Sequence, residues 1–399
     1  MTSTALPTDS ARFTEVFARI ADGALTREAR RDLPHDEVRA LAAAGFTALT
    51  VPRELGGSGA SATELFALLV ELAAADSNLP QLLRAHFLFV ETVLQDPHYP
   101  DRDEWLRRVA TGDVVGNASH ERGAATTGSL ATRLRHDGGR YRLDGEKYYS
   151  TGALFADWIV VTAQDEDDRF ARVVLPTTAE GVELRDDWDG FGQRLTGSGA
   201  TVFRDVTVDP AAVHVFTGTG TRTLHTAFLQ NVLLASLAGV AQAAVRDATG
   251  FVRSRTRTYS QGAGATAATD PLVQAVLGRL SADVTTAEAV VLDVARAIDR
   301  ARGPILAGLP DNDAIQAAEL RAVQAQVTVT ELVQRVTTRL FDVGGASATS
   351  LGRGLDRHWR NARTLSSHNP VVYQERAIGD HLLNGTELTY FWATGQATL

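Results

Sequence analysis

No cysteine occurs in these 399 residues, and only one methionine. The first absence excludes disulfides, thiolate metal sites, iron–sulfur clusters and a cysteine nucleophile together. It also fits a reducing cytoplasm. Basic charge is short: 39 Lys and Arg stand against 48 Asp and Glu, a formal net charge of −9. A nucleic acid or an anionic membrane needs a basic surface, so neither is an expected partner. The most apolar stretch, Ala227 to Val245, is broken by Gln230, Asn231, Ser236, Gly239 and Gln242. It reads as a buried helix rather than a membrane span. The first residues lack the basic opening and unbroken apolar segment of a signal peptide. The histidines are scattered without metal-ligand spacing, and there is no Gly-x-Ser-x-Gly elbow. Gly262-Ala-Gly264-Ala-Thr-Ala267 approximates a dinucleotide fingerprint, but a helical pattern precedes it where a strand is required.

What is present divides into three regions. Up to about residue 112 the apolar spacing is helical: Phe13, Val16, Phe17 and Ile20 share one face, and Leu65–Ala75 and Leu82–Leu94 continue in the same period. From about 113 the period changes to two. Arg140 to Leu143, a turn at Asp144-Gly145, and Lys147 to Tyr149 predict a hairpin. Trp158–Thr162, Arg169–Leu175 and Thr201–Val208 add further strands. From about 221 long helical patterns return. Asp270-Pro271 supplies an N-cap and a first-turn proline, Gly303-Pro304 is the expected stop, and a second long helix runs to Gly344-Gly345. The expected class is α+β: an N-terminal helical domain (1–112), a β-domain (113–216) and a C-terminal four-helix bundle (217–399). Thr217-Gly218-Thr219-Gly220 is the expected hinge, and Ser260–Thr269 the expected mobile loop.

This order resembles the acyl-CoA dehydrogenase superfamily. The resemblance rests on Leu41 to Pro52 with Leu55-Gly56-Gly57, on Gly145 to Gly152 with Asp157, on Phe203 to Val206, and on Gly344-Gly345 with Arg357 and Arg360. Two longer blocks, Trp188 to Gly199 and Leu355 to Pro370, resemble one branch: the FMNH₂-dependent, two-component monooxygenases typified by dibenzothiophene monooxygenase. The alternative is an FAD-dependent acyl-CoA dehydrogenase. Dehydrogenation of an acyl thioester needs a carboxylate base, and the stretch where many members carry it, Thr364 to Pro370, has none and offers His368 instead.

Carried over position by position, the resemblance implies His368, Ser150 and Asn117 as catalytic residues. These would support oxygenation of a small substrate, of the organosulfur kind that the branch uses, by O₂ through a flavin C4a-hydroperoxide. An imidazole can donate a hydrogen bond or a proton as the O–O bond breaks, and Ser150 and Asn117 are small neutral donors. Tyr148 or Trp188 would wall the ring. FAD-using relatives have Phe-Gly three residues after an Arg. Phe251 to Tyr259 keeps Arg253, Arg255 and Arg257 but lacks that pair, which favours FMN over FAD, with Arg255 or Arg257 on the phosphate. With no nicotinamide site, a separate NAD(P)H-dependent flavin reductase is implied. His86 is either a pocket residue or a satisfied core histidine. A cytoplasmic homotetramer is expected.

Overall fold

The computed structural model describes residues 11–123, 129–215 and 223–388; the expected hinge at Thr217–Gly220 lies outside the described residues. Six helices come first: α1 (Ala11–Arg30), α2 (His35–Ala43), α3 (Ala62–Ala75), α4 (Asn78–Leu82), α5 (Arg84–Gln95) and α6 (Arg102–Ala110). The predicted stripe of α1 is buried, and Phe13 and Phe17 meet Phe46 edge-on with ring centroids 5.3 and 5.6 Å apart. Ser61 and Glu64 form a reciprocal cap at the start of α3.

The middle of the chain forms an eight-stranded sheet from β1 (Val115–Ala118), β2 (Arg133–Asp137), β3 (Arg140–Lys147), β4 (Trp158–Gln164), β5 (Phe170–Pro176), β6 (Val182–Leu184), β7 (Thr201–Val208) and β8 (Val213–Val215). Its order is β6-β7-β3-β2-β4-β5-β8, with β1 running parallel beside β4. Alternation gives the sheet two apolar faces. Leu134, Leu143, Ile159, Val161 and Val206 fill one core. Val115, Val160 and Val174 pack on Phe89, Val90 and Leu106 of the helical domain in another.

The predicted turn at Asp144-Gly145 is not a turn. β3 runs straight through it, and the pairing with β7 shifts register between Leu143 and Gly145. The hairpin turns instead at Gly138-Gly139, both with positive φ (55° and 90°), joining β2 to β3. Two adjacent residues in that region are what a two-residue hairpin turn needs, and two glycines adopt it more readily than Asp-Gly.

The bundle consists of α7 (His225–Ser254), α8 (Pro271–Leu306), α9 (Asn312–Arg339), α10 (Asp356–Ser366) and α11 (Val371–Asn384). Asp270 caps α8 as predicted, accepting from the Leu272 amide at 2.8 Å. That helix does not stop at Gly303-Pro304; it ends after Leu306, with Pro304 inside its last turn. Among the described residues α7 is the one helix long and apolar enough to cross a membrane, and 83% of its most apolar window is buried within the protein. Its polar interruptions have inward partners: Asn231 donates to the Val291 carbonyl, and Gln230 accepts from Asn369 at 2.8 Å.

Candidate active site

The segment leaving β3 is bent sharply by its own hydrogen bonds. Lys147 is fully buried, its ammonium held by Glu121 at 2.7 Å. Tyr148 donates its amide to the His120 carbonyl at 2.8 Å, and Ser150 donates its amide to Gly199 at 3.1 Å. Tyr149 sits at φ 60°, and Gly152 at φ 84°. A Cβ on Gly152 would collide with the carbonyl oxygen of Leu82, so the elbow is pressed against the junction of α4 and α5. Ser150 is thereby brought to the start of α5.

The two long blocks that marked the branch touch each other here. The Gln193 amide donates to Asn361 Oδ1 at 2.6 Å, and Arg360 donates to the Phe191 carbonyl at 3.0 Å. This docks the 188–199 loop onto α10 and sets where α10 ends. The loop between α10 and α11 then carries His368 and Asn369 toward α5. Arg84 Nη2 donates to His368 Nε2 at 2.9 Å. A guanidinium cannot accept, so Nε2 presents its lone pair and the ring proton is on Nδ1, which faces Asn369 Oδ1 at 3.2 Å. Asn369 donates onward to Gln230 at 2.8 Å, and its carbonyl accepts from Gln326 at 2.8 Å.

These contacts fix the charge state as well as the tautomer. His368 is exposed on one side. Desolvation, reinforced by the field of Arg84, pushes its pKa down to about 3. The imidazole is therefore neutral near pH 7 and receives at Nε2 rather than donating. Burial lowers the guanidinium of Arg84 itself to about 10, which leaves it charged. His120 is also pushed down, first by burial and then by Arg84 and Lys147.

Of the residues singled out in the sequence, His368 and the Ser150 elbow both meet the α4–α5 junction, His368 through Arg84 and the elbow through Gly152 against Leu82. His120, bonded to Tyr148 and close enough to Arg84 and His368 to share their electrostatics, links the two walls. Ser150 is 1% exposed and its hydroxyl has no partner among the described residues. Asn117 lies on β1, three positions before His120, half-buried. Tyr148 is engaged elsewhere: its hydroxyl points to the Asp187 carbonyl at 3.3 Å, and the Arg122 guanidinium covers its ring at 3.3 Å. Trp188 donates to the Gly192 carbonyl and stands 6.1 Å from Tyr149. Tyr149, 48% exposed, is the aromatic of this cluster with a free face. His86 is a satisfied core histidine, receiving the Val115 amide at Nδ1 and bonding the Thr47 carbonyl through Nε2.

Arg255 and Arg257 stand apart. Arg255 closes the far end of α7 and donates to the Val343 carbonyl at 2.7 Å, while Arg257 is exposed just beyond. From Gln230, next to His368, to Ser254 the helix rises roughly 36 Å. No FMN is long enough to touch His368 and either arginine of the same chain.

Residues missing from the sequence reading are Arg84, Asn369 and Tyr149. Arg84 had a visible signal: a lone cation within the apolar run Leu82–Leu94. A flavin suits this neighbourhood, since the unpaired Ser150 hydroxyl is a donor of the kind a polar heteroaromatic edge satisfies.

Models of the acyl-CoA dehydrogenase N-terminal, middle and C-terminal domains match residues 11–113, 118–206 and 232–373. The chain is 29% identical to the dibenzothiophene monooxygenase of Mycolicibacterium goodii, over 93% of this chain and 90% of that protein. FMN-bound TdsC from Paenibacillus sp. A11-2 matches with a TM-score of 0.87 at 27% identity, covering 96% of this chain and 99% of that one. The methanesulfinate monooxygenase MsuC from Pseudomonas fluorescens matches with a TM-score of 0.87 at 26% identity, covering 96% and 98%.

Proposed function

The chain belongs to the acyl-CoA dehydrogenase superfamily, and within it we propose that the protein is the oxygenase component of a two-component flavin monooxygenase. It takes reduced FMN from a separate reductase and uses O₂ to oxygenate a small substrate. The observation that carries this reading is the composition of the α10–α11 loop. It delivers a neutral imidazole where acyl thioester dehydrogenation would need a carboxylate, and among the described residues no Asp or Glu touches His368 or Arg84.

When bound, FMN supplies the electrons and the oxygen-activating chemistry. The chain's own residues hold and shield it. Ser150 and Asn117 would offer it neutral donors from the sheet side, and Tyr149 an aromatic face. His368, held in one tautomer by Arg84 and Asn369, would face it from the helical side. Burial of the elbow keeps water from the reacting edge. The names of the relatives support an organosulfur substrate.

The assembly is a homotetramer in this reading. Helix α11 has no buried residue, and it exposes Val372, Tyr373, Leu382 and Leu383 at 66%, 69%, 69% and 84%. An apolar surface of that kind is covered in an assembly. The 36 Å separation along α7 then leaves one role for Arg255 or Arg257 on flavin: reaching the phosphate bound by another protomer. The absence of cysteine supports a cytoplasmic setting.

The test is to supply reduced FMN from a reductase under ¹⁸O₂ with candidate sulfides and sulfinates. Labelled oxygen in the product is the expected result. Bleaching of tightly bound FAD by an acyl-CoA, without oxygen incorporation, would overturn the reading.

A further inference from the structure

We infer that the substrate is an anion: Arg84 is placed to hold a small organic oxyanion, a sulfinate, sulfonate or carboxylate, beside His368. This rests on the monooxygenase reading and names the substrate class that its site takes.

Several buried cations of this protein carry their own counter-charges. Arg27 has Glu37 and Asp76, Lys147 has Glu121, Arg302 has Glu91, and Arg360 has Glu28. Arg84 has no acidic partner among the described residues. Its one hydrogen bond goes to a neutral imidazole, and Nη1 is buried with none. Its chain neighbours Leu82, Leu83, Phe87 and Val90 are all at most 2% exposed. Isolating a guanidinium there is costly, and a neutral substrate would leave that cost standing.

The surroundings favour an anion further. No side chain caps the start of α5, the helix that Arg84 opens, so the helix dipole adds positive potential at the same point. A guanidinium fork also matches a sulfinate or carboxylate geometrically. The contact with His368 engages Nη2 and leaves the buried Nη1 without a partner among the described residues.

Reduced FMN is itself an anionic ligand, so it is the competing occupant. Position argues against it: the donors read as flavin ligands lie on the sheet wall at Ser150, whereas Arg84 comes from the helical wall and bonds His368.

The test titrates benzenesulfinate and its neutral relative methyl phenyl sulfone into the assembled protein by calorimetry, with and without FMN. The wild type should bind the sulfinate roughly 10- to 100-fold more tightly than the sulfone. Arg84→Gln should remove that preference while sulfone affinity stays within about 3-fold. Arg84→Lys, which keeps the charge and loses the fork, should retain part of it. Equal binding of sulfinate and sulfone by the wild type overturns the inference whether or not Arg84→Gln folds. So does an Arg84→Gln variant that loses reduced FMN but keeps the sulfinate preference. A wild type that binds no reduced FMN defeats the monooxygenase reading, yet its sulfinate-to-sulfone ratio still decides this one.

Discussion

Nη2 of Arg84 donates to Nε2 of His368 at 2.9 Å, joining residues 284 positions apart. The bond ties the first helical region to the last, and its direction decides the protonation of the imidazole. His368 is thereby a neutral, oriented group, and Asn369 and Gln230 hold it from the other side.

Replacing His368 by Ala is expected to leave the melting temperature and reduced FMN binding nearly unchanged, because His368 is exposed. Coupled oxygenation should fall by about 10- to 100-fold, as for loss of a hydrogen bond to a charged group, here the one that holds Arg84 in place. Oxygen consumption would continue and appear as hydrogen peroxide, which a peroxidase assay reads. A lower melting temperature with normal coupling would make His368 a structural residue.

Ser150→Ala removes a buried hydroxyl that has no partner among the described residues. Stability by urea unfolding should therefore hold or rise slightly. Reduced FMN affinity should drop by about 0.5–1.5 kcal/mol, the value of one neutral hydrogen bond. An unaltered affinity by fluorescence titration would place the hydroxyl off the ring.

Gly152→Ala faces both a positive φ and the Leu82 carbonyl. A cost of about 1–3 kcal/mol in urea unfolding is expected, together with weaker flavin binding as the elbow withdraws from α5. A variant as stable as the wild type would show that the elbow yields freely.

Arg255→Ala or Arg257→Ala should weaken FMN binding by about 1.5–3 kcal/mol if that arginine meets the phosphate. The effect should exist only in the assembly and vanish on dilution to monomers, since one chain cannot span the distance. Light scattering run alongside the titration decides it. Equal affinity of both variants and the wild type in the intact assembly would move the phosphate site elsewhere.

Stability should rise between pH 4.5 and 6.5. Burial, the leading cause in each case, holds His86, His225 and His358 down to about 4, 3 and 4. The unfolded chain takes up those protons from about pH 6.5, the folded chain does not, so stability is lost as pH falls through that window. Glu319 works the other way: burial raises it to about 7 from a usual 4.5, so its proton favours the folded chain less as pH rises. Three histidines outweigh one carboxyl. Thermal melts across pH 4.5–8 should climb and then level, and Glu319→Gln should steepen the climb. A fall over the window would contradict the assignment of these histidines as buried and neutral.

Much of the fold was legible locally. The α1 stripe, the cap at Asp270 and the strands β4, β5 and β7 follow from periodicity and capping chemistry, which act within a few residues. Where two local signals competed, the sequence misled: Asp144-Gly145 and Gly138-Gly139 both carry turn residues, and the pairing of Leu134 with Leu143 selects the second. Pro304 looked like a stop but sits in a last turn, where only Ile305 and Leu306 follow it.

The sequence by itself determined the order of helices and strands, the superfamily, and that His368 rather than a carboxylate occupies the last loop. Tertiary structure alone decided that Arg84 would meet His368, that the imidazole would be neutral and receive a hydrogen bond, and that Arg255 and Arg257 would lie at the far end of α7 from it. Periodicity and caps are properties of neighbours in the chain, and can be read there. The charge state of a buried group depends on what packs around it, and nothing in the local sequence of either residue encodes a contact across 284 positions.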